Sequence, residues 1–420
     1  MQVMKWSVMA LAVAAGTTQL AMASAQSESK GFAEDSSLNV LNRNLYMNRD
    51  FRSAGGNGGQ SYREEWGHGL ITTFESGFTQ GTIGFGVDAH GLVGLRLDSG
   101  NGRAGNGLFP NEFGDSGPDD YAKAGAAVKL RASNTVLKYG TQFTSLPVFA
   151  TDDSRLLPES AEGFLITSNE IEGLELNAGH FTALNAQSRT RHDSFGLKSA
   201  DVLGGTYKFS DELAASVYYS NLDDLFKKWY GNVNYALPLG DSQALAFDFN
   251  VYRTKYDSDF TSTGSSERNT IGSLSAAYSI DAHTFTLAYQ RSKGGFDGTG
   301  YYYGEDGNST IFLANSIQYS DFNAEDEKSW QVRYDLNMAG YGVPGLSFMT
   351  RYARGTDIKI TDASDATERE WDIEAKYVIQ NGPAKDLSFR ARQAFYRTSN
   401  SYGGDVNDFR LIVQYPLSIL

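Results

Sequence analysis

The stretch EWDIEAKYVIQ, residues 370–380, alternates strictly. Trp371, Ile373, Ala375, Tyr377 and Ile379 fall on one side of an extended chain, and Asp372, Glu374, Lys376 and Gln380 on the other. Successive side chains of a strand point to opposite faces, so period two reads as a strand with one apolar face. The same parity sets Trp330, Val332, Tyr334, Leu336 and Met338 against Gln331, Arg333, Asp335 and Asn337. At the C-terminus Phe409, Leu411, Val413, Tyr415, Leu417 and Ile419 oppose Arg410, Gln414 and Ser418. A soluble sandwich would show the same alternation, with its polar face outward. Features beyond parity have to separate the two.

Outward from that stretch the chain gives about 18 strand candidates. Short turns join them at Thr79-Gln80-Gly81, Ser133-Asn134, Glu172-Gly173, Ser210-Asp211, Leu239-Gly240-Asp241 and Asp281-Ala282. The alternate connections are longer, as in residues 98–120, 183–199 and 293–308. Short turns at one end and long loops at the other are the asymmetry of outer-membrane barrels. The first residues read as an export leader: Lys5, the apolar run VMALAVAAG, then LAMASAQ, with cleavage expected after Ala23 or Ala25. The expected organisation is a signal peptide over 1–25 and one all-β, transmembrane antiparallel barrel over 26–420. The implied location is the outer membrane of a Gram-negative bacterium, among its lipid and lipopolysaccharide.

Composition agrees and excludes. The 420 residues hold 45 Gly, 24 Tyr and 25 Phe but only 8 Pro. Mean hydropathy is −0.39, which a barrel tolerates because each strand shows lipid only every second residue. No Cys occurs, which removes disulfides, thiol catalysis and Cys-rich metal sites. A net charge of −14 argues against nucleic acid as a partner. No cofactor, metal site or catalytic group is expected. His68, His90, His180, His192 and His283 stand in no nucleophile-elbow or H-E-x-x-H context, so an envelope hydrolase has no motif to rest on. The glycines of GTIGFGVDAHG lie within alternating strands, where a dinucleotide loop cannot form. A plugged, adhesive barrel and a general porin remain as rivals.

One stretch breaks the rhythm. Residues 147–164, PVFATDDSRLLPESAEGF, carry two prolines, Arg155 and the carboxylates Asp152, Asp153, Glu159 and Glu162 without alternation. A long connection of this kind is usually functional, and the reading is an inward-folded constriction loop over about 144–163. Arg390 and Arg392 share the polar face of their strand, and Arg410 shares that of the last strand. Closing the barrel brings Arg49 and Arg63 of the first strands into the same sector. A column of guanidiniums offers successive sites for a carboxylate. The competing reading is that each arginine pairs with a bore carboxylate and only braces the wall.

The strings ESGFTQGTIGFGVDAHG, PVFATDDSRLLP, IFLANSIQYSDFN, AKYVIQNGPAKDLSFRARQA and FRLIVQYPLSIL, in that order, resemble the OprD family of substrate-specific outer-membrane porins over nearly the whole chain. That resemblance implies a single-chain, 18-stranded barrel with an inward third loop and passive uptake of small carboxylate-bearing nutrients. It implies a basic ladder of Arg49, Arg63, Arg155, Arg390, Arg392 and Arg410. Facing it, the resemblance implies an electronegative side made by Tyr218, Ser316, Tyr319 and Asp321. Residues 360–369 are a short connection where some relatives are longer, so substrate identity does not carry over. Basic amino acids or small peptides come first, because an acidic side facing a basic ladder suits a zwitterion with extra positive charge. Aromatic or simple carboxylates come second. Neither a monomer nor a weak homotrimer is written into any stretch.

Overall fold

The computed structural model describes residues 24–52, 60–111, 117–265, 267–296, 299–360, 363–399 and 402–420. The expected leader lies outside the described residues except for Ser24 and Ala25. Eighteen antiparallel strands form one closed sheet in chain order. The first, Ser37–Phe51, pairs with the second, Tyr62–Glu75, and with the last, Val406–Ser418. Closure leaves no unpaired edge, the condition for crossing hydrocarbon with strands. A fifth strand of 8 residues and third and sixteenth strands of 16 bracket the lengths, ample for a tilted crossing.

The polarity is that of a membrane barrel. Apolar side chains of alternating parity lie on the outside, with Leu203 61% and Leu287 62% exposed. Buried polar and charged groups fill the inside, among them Glu65, Gln290, Glu370, Asp372 and Asp408. A soluble sandwich would place these two sets the other way round. In Ala363–Val378, Trp371, Ile373 and Tyr377 face out, as the opening stretch predicts.

Two inward segments fill the bore. The constriction loop is residues 143–159; the barrel strand resumes at Ser160, before the expected end at 163 or 164. Residues 161–164 pair with both neighbouring strands and Ser160 with one, and ladder pairing outweighs the irregular look of SAEGF. Within the loop, Ser145–Leu146 and Phe149–Ala150 form a small ribbon. The second segment, residues 295–327, has no barrel strand and joins His283–Gly294 to Lys328–Asn337.

Side-chain chemistry wedges the loop between two walls. On one flank Leu146, Val148 and Phe149 join a buried cluster with Phe181, Tyr252 and Tyr301; the Phe149 and Phe181 rings stack 4.3 Å apart. The Tyr252 hydroxyl donates to the Pro147 carbonyl at 3.0 Å and accepts from the Phe312 amide at 3.1 Å, tying both segments to one strand. On the other flank Leu156 and Leu157 pack on Leu45, Met47, Ile71 and Leu92. Gly67 and Gly69 permit that approach: a Cβ on Gly67 would lie 2.7 Å from Leu156 Cδ2, and one on Gly69 2.8 Å from its carbonyl oxygen. Arg43 completes the clamp, donating to both Asp153 oxygens at 2.7 and 2.8 Å and to the Arg155 carbonyl at 2.8 Å.

The hairpin between Leu346–Ile360 and Ala363–Val378 corrects a second expectation. Most of residues 360–369 is strand, with Ile360 opposite Ala363 and shifts of register near the tip.

Arg43→Ala removes a bidentate, charge-assisted clamp, on the order of 2–4 kcal/mol of local loop docking. The barrel is expected to keep its heat-modifiable migration while single-channel current becomes noisier and its mean conductance rises. A quiet trace of unchanged conductance would show that Arg43 does not hold the loop.

Candidate functional site: an arginine-lined bore

Pairing register decides which arginines meet. Arg63, Arg49 and Asp408 are successive cross-strand partners, as are Met47, Arg410, Arg392 and Glu374. Arg390 lies two residues further toward the short-turn end, opposite Lys376. Five of the six expected ladder residues thus share adjoining rows of one sector. The sixth, Arg155, reaches them from the constriction loop. Its Nε donates to the Asn106 carbonyl at 3.2 Å and its Nη1 to Ser154 Oγ at 2.9 Å. Burial, with Arg410 and Arg49 nearby, lowers its guanidinium to about 10, which leaves it charged at neutral pH.

The arginines are neither free nor individually neutralised. Asp408 accepts Arg49 Nε through one oxygen and Arg410 Nε through the other, both at 2.6 Å. Glu374 Oε2 accepts Arg390 Nη2 at 2.7 Å, and Arg392 Nε lies 3.0 Å from the same oxygen as an ion pair. Each couple shares one carboxylate and keeps a net positive charge. The bracing and ladder readings therefore describe the same residues. Arg63 donates to the Gly105 carbonyl at 3.1 Å and lies 5.5 Å over the Phe51 ring.

Exposure separates wall from surface. The side chains of Arg390 and Arg49 are 38% and 17% exposed, whereas Arg410 is 6% exposed and also donates to the Gln318 carbonyl. Toward the short-turn end the couple on Glu374 opens into a cavity of about 230 Å³ that Arg333 and Arg351 also line. Sequence reading missed both, although Arg333 was visible on the polar face of its strand. Their own carboxylates are Asp335, at 2.7 Å, and Asp372, at 2.6 Å. Arg43 was missed too, yet it is six residues from Arg49 and so on the same face.

The expected electronegative residues do not form one wall. Ser316 Oγ donates to Asp321 at 2.6 Å, and the Tyr303 hydroxyl donates to the same carboxylate. Burial raises Asp321, and Asp152 of the constriction loop adds to the effect. Tyr319 belongs with the ladder instead: Arg49 lies 5.2 Å over its ring, and Tyr396 is 4.7 Å away. Tyr218 is buried on another strand, its hydroxyl accepting from Asn177 at 3.2 Å.

The constriction carboxylates also divide. Asp152 takes the Ser154 amide at 3.0 Å and faces Asp321 electrostatically. Asp153 is held by Arg43, as above. Glu159 is fully buried and docks the two inward segments, accepting the amides of Asp152 at 2.9 Å and Asn308 at 3.0 Å. It is a fastener and not part of the solute-facing surface.

A family model described as outer membrane porin, OprD family, matches residues 30–419. Porin D of Pseudomonas aeruginosa is 51% identical over 452 residues, with 100% of each chain covered. The crystal structure of Acinetobacter baumannii OccAB1 superposes with a TM-score of 0.90 at 36% identity, covering 94% of this chain and 100% of that one. Pseudomonas aeruginosa OprD gives 0.78 at 48% identity, with 95% and 100% covered.

Burial lifts Glu159 to about 7 from an ordinary 4.5, against its amide donors. Loop docking is therefore favoured with the proton on: that contribution is complete below about 4.5 and fades as pH rises through about 7. Current noise is expected to increase between pH 6 and pH 8 in the native channel and to stay level in Glu159→Gln. Equal pH dependence in both would assign the titration to another group.

Proposed function

The chain belongs to the OprD family of outer-membrane porins, and on that premise we propose a substrate-selective channel in which small carboxylate-bearing solutes descend the arginine couples. The observation that supports this most is the sharing of Asp408 and Glu374, each between two guanidiniums. A solute carboxylate can take up the uncompensated charge at one couple and pass to the next. At a few Å in a partly screened bore such attraction is on the order of a few kcal/mol. Passage needs sites favourable enough to enter and weak enough to leave.

Basic amino acids or small peptides are the first substrate class in this reading. Asp152 of the constriction loop and Asp321 of the second inward segment would receive the additional cation. A second class, simple or aromatic carboxylates, gains support from the engagement of Asp153 by Arg43 and the burial of Glu159. Both leave fewer free carboxylates than the sequence suggested. The transport is passive, with solute gradient as its only drive. A general porin is the further alternative, disfavoured by the wedged loop.

Single-channel recording with arginine and with benzoate separates these. Arg390→Ala combined with Arg392→Ala leaves Glu374 without partners and is expected to lower carboxylate uptake at least tenfold and to reduce anion preference in reversal-potential measurements. Unchanged uptake by a heat-modifiable variant would remove the ladder. Blockade by arginine alone would favour the first substrate class, by benzoate the second, and by neither the general porin.

A further inference from the structure

The outer wall carries a charge pattern that the bore does not use. Eight adjacent strands, from Phe226–Pro238 round to Ser388–Thr398, each set at least one outward lysine or arginine near the long-loop end. Lys227, Lys255 and Arg268 are successive cross-strand partners, and Arg253 stands opposite Trp229. Arg291 stands opposite Lys328, with Lys293 two residues further out. Trp330, Arg354, Arg369 and Arg397 make the next row.

Cross-strand partners face the same side of a sheet. Trp229 and Trp330 are 54% and 44% exposed, so these rows project away from the bore. The basic groups lie level with an outward aromatic girdle, which also includes Tyr289 and Trp371, or about 7 Å beyond it, with Lys293 about 13 Å beyond. Aromatic girdles mark the membrane–water interface, and cationic groups on a barrel wall are tolerated there and not at mid-depth. Among the described residues only two members meet a carboxylate, Lys328 with Asp357 at 3.3 Å and Arg397 with Asp405 at 3.7 Å. The others are exposed and form no ion pair among the described residues.

The remaining ten strands differ. Their outward residues at the same level include Asp50, Glu64, Asp120 and Asp201. In a chain with a net charge of −14, a largely unpaired basic arc on one side has no account in solubility. The arc spans roughly 34 Å at seven interstrand steps of about 4.8 Å.

We propose that this arc binds the phosphate groups of lipopolysaccharide, the anionic glycolipid of the outer leaflet, and so gives the barrel one lipopolysaccharide-binding side. Arginine recognises phosphate through paired N–H donors and lysine as a point charge. The level of the girdle puts both at the headgroups. Among the described residues the other ten strands set no comparable row of lysines and arginines at that level, which leaves that flank to other neighbours.

The test uses the mature, folded channel in vesicles containing lipopolysaccharide, with native mass spectrometry of what co-purifies. The expected result is retained lipopolysaccharide, lost at least tenfold in Arg253→Gln/Lys255→Gln/Arg354→Gln/Arg369→Gln, by high salt, and in vesicles carrying the dephosphorylated glycolipid. Conductance and anion preference of that variant should equal the native values, since none of the four faces the bore. If it fails to fold, Arg354→Gln/Arg369→Gln alone is expected to give a partial, salt-sensitive loss. Equal retention by native and variant protein, or by phosphorylated and dephosphorylated vesicles, overturns the proposal. So does a salt-sensitive dimer that the substitutions abolish, because a second copy's acidic flank would then be the occupant.

Discussion

A backbone amide in hydrocarbon has no water to bond, and the pairing of Ser37–Phe51 with Val406–Ser418 is the answer on which the rest of this structure depends. That single seam turns a long sheet into a tube and assigns one parity to lipid and the other to water. It also creates the functional sector. Arg49 comes from the beginning of the chain and Asp408 and Arg410 from its end, and only closure brings the three within bonding distance. A slip of one residue at the seam would turn Arg49 toward lipid and Asn48 toward the bore.

The tube alone would be wide at eighteen strands, so what can pass depends on what fills it. The filling follows soluble-protein rules inside a membrane protein. Leu156 and Leu157 find apolar partners on a wall made close by Gly67 and Gly69, while Phe149 stacks on Phe181. At the far side Lys228 and Asp306 pair with neither side chain exposed to solvent, and the lysine sits 4.9 and 4.7 Å over Phe226 and Tyr301. A buried pair of this kind is weak evidence for net stability, but losing either partner strands a charge. Its effect here is positional: it fixes residues 295–327 against the wall that also anchors the constriction loop.

Legibility in the sequence followed locality. Strand parity is a property of neighbouring residues, so the barrel, its strand number and the facing of Arg390, Arg392 and Arg410 could be read directly. The constriction loop announced itself by losing alternation, yet its end was misplaced because residues 160–164 are strand by virtue of partners elsewhere in the chain. The roles of Glu159 and Asp153 were not readable at all. Both look like lumen acids, and only the three-dimensional positions of Asn308 and Arg43 show them to be fasteners. Tyr319 failed for a similar reason: its ring belongs to Arg49, across a contact of 270 residues in sequence.

In the proposed reading, the arrangement of charge lets one bore bind without trapping. A lone arginine in a narrowed lumen would hold a carboxylate strongly, and an arginine with its own carboxylate would hold none. Two guanidiniums on one carboxylate give an intermediate site whose resident anion competes with the solute for the same N–H groups. Asp408, set between Arg49 and Arg410, can lend either partner in turn, and Glu374 does the same for Arg390 and Arg392. In the proposed channel the carboxylates are thus part of the conduction path. Removing one would deepen its site and slow release, whereas removing both arginines of a couple would leave a negative charge facing an anionic solute. The opposite signs of those two changes follow from a single geometric fact, two cations to one anion.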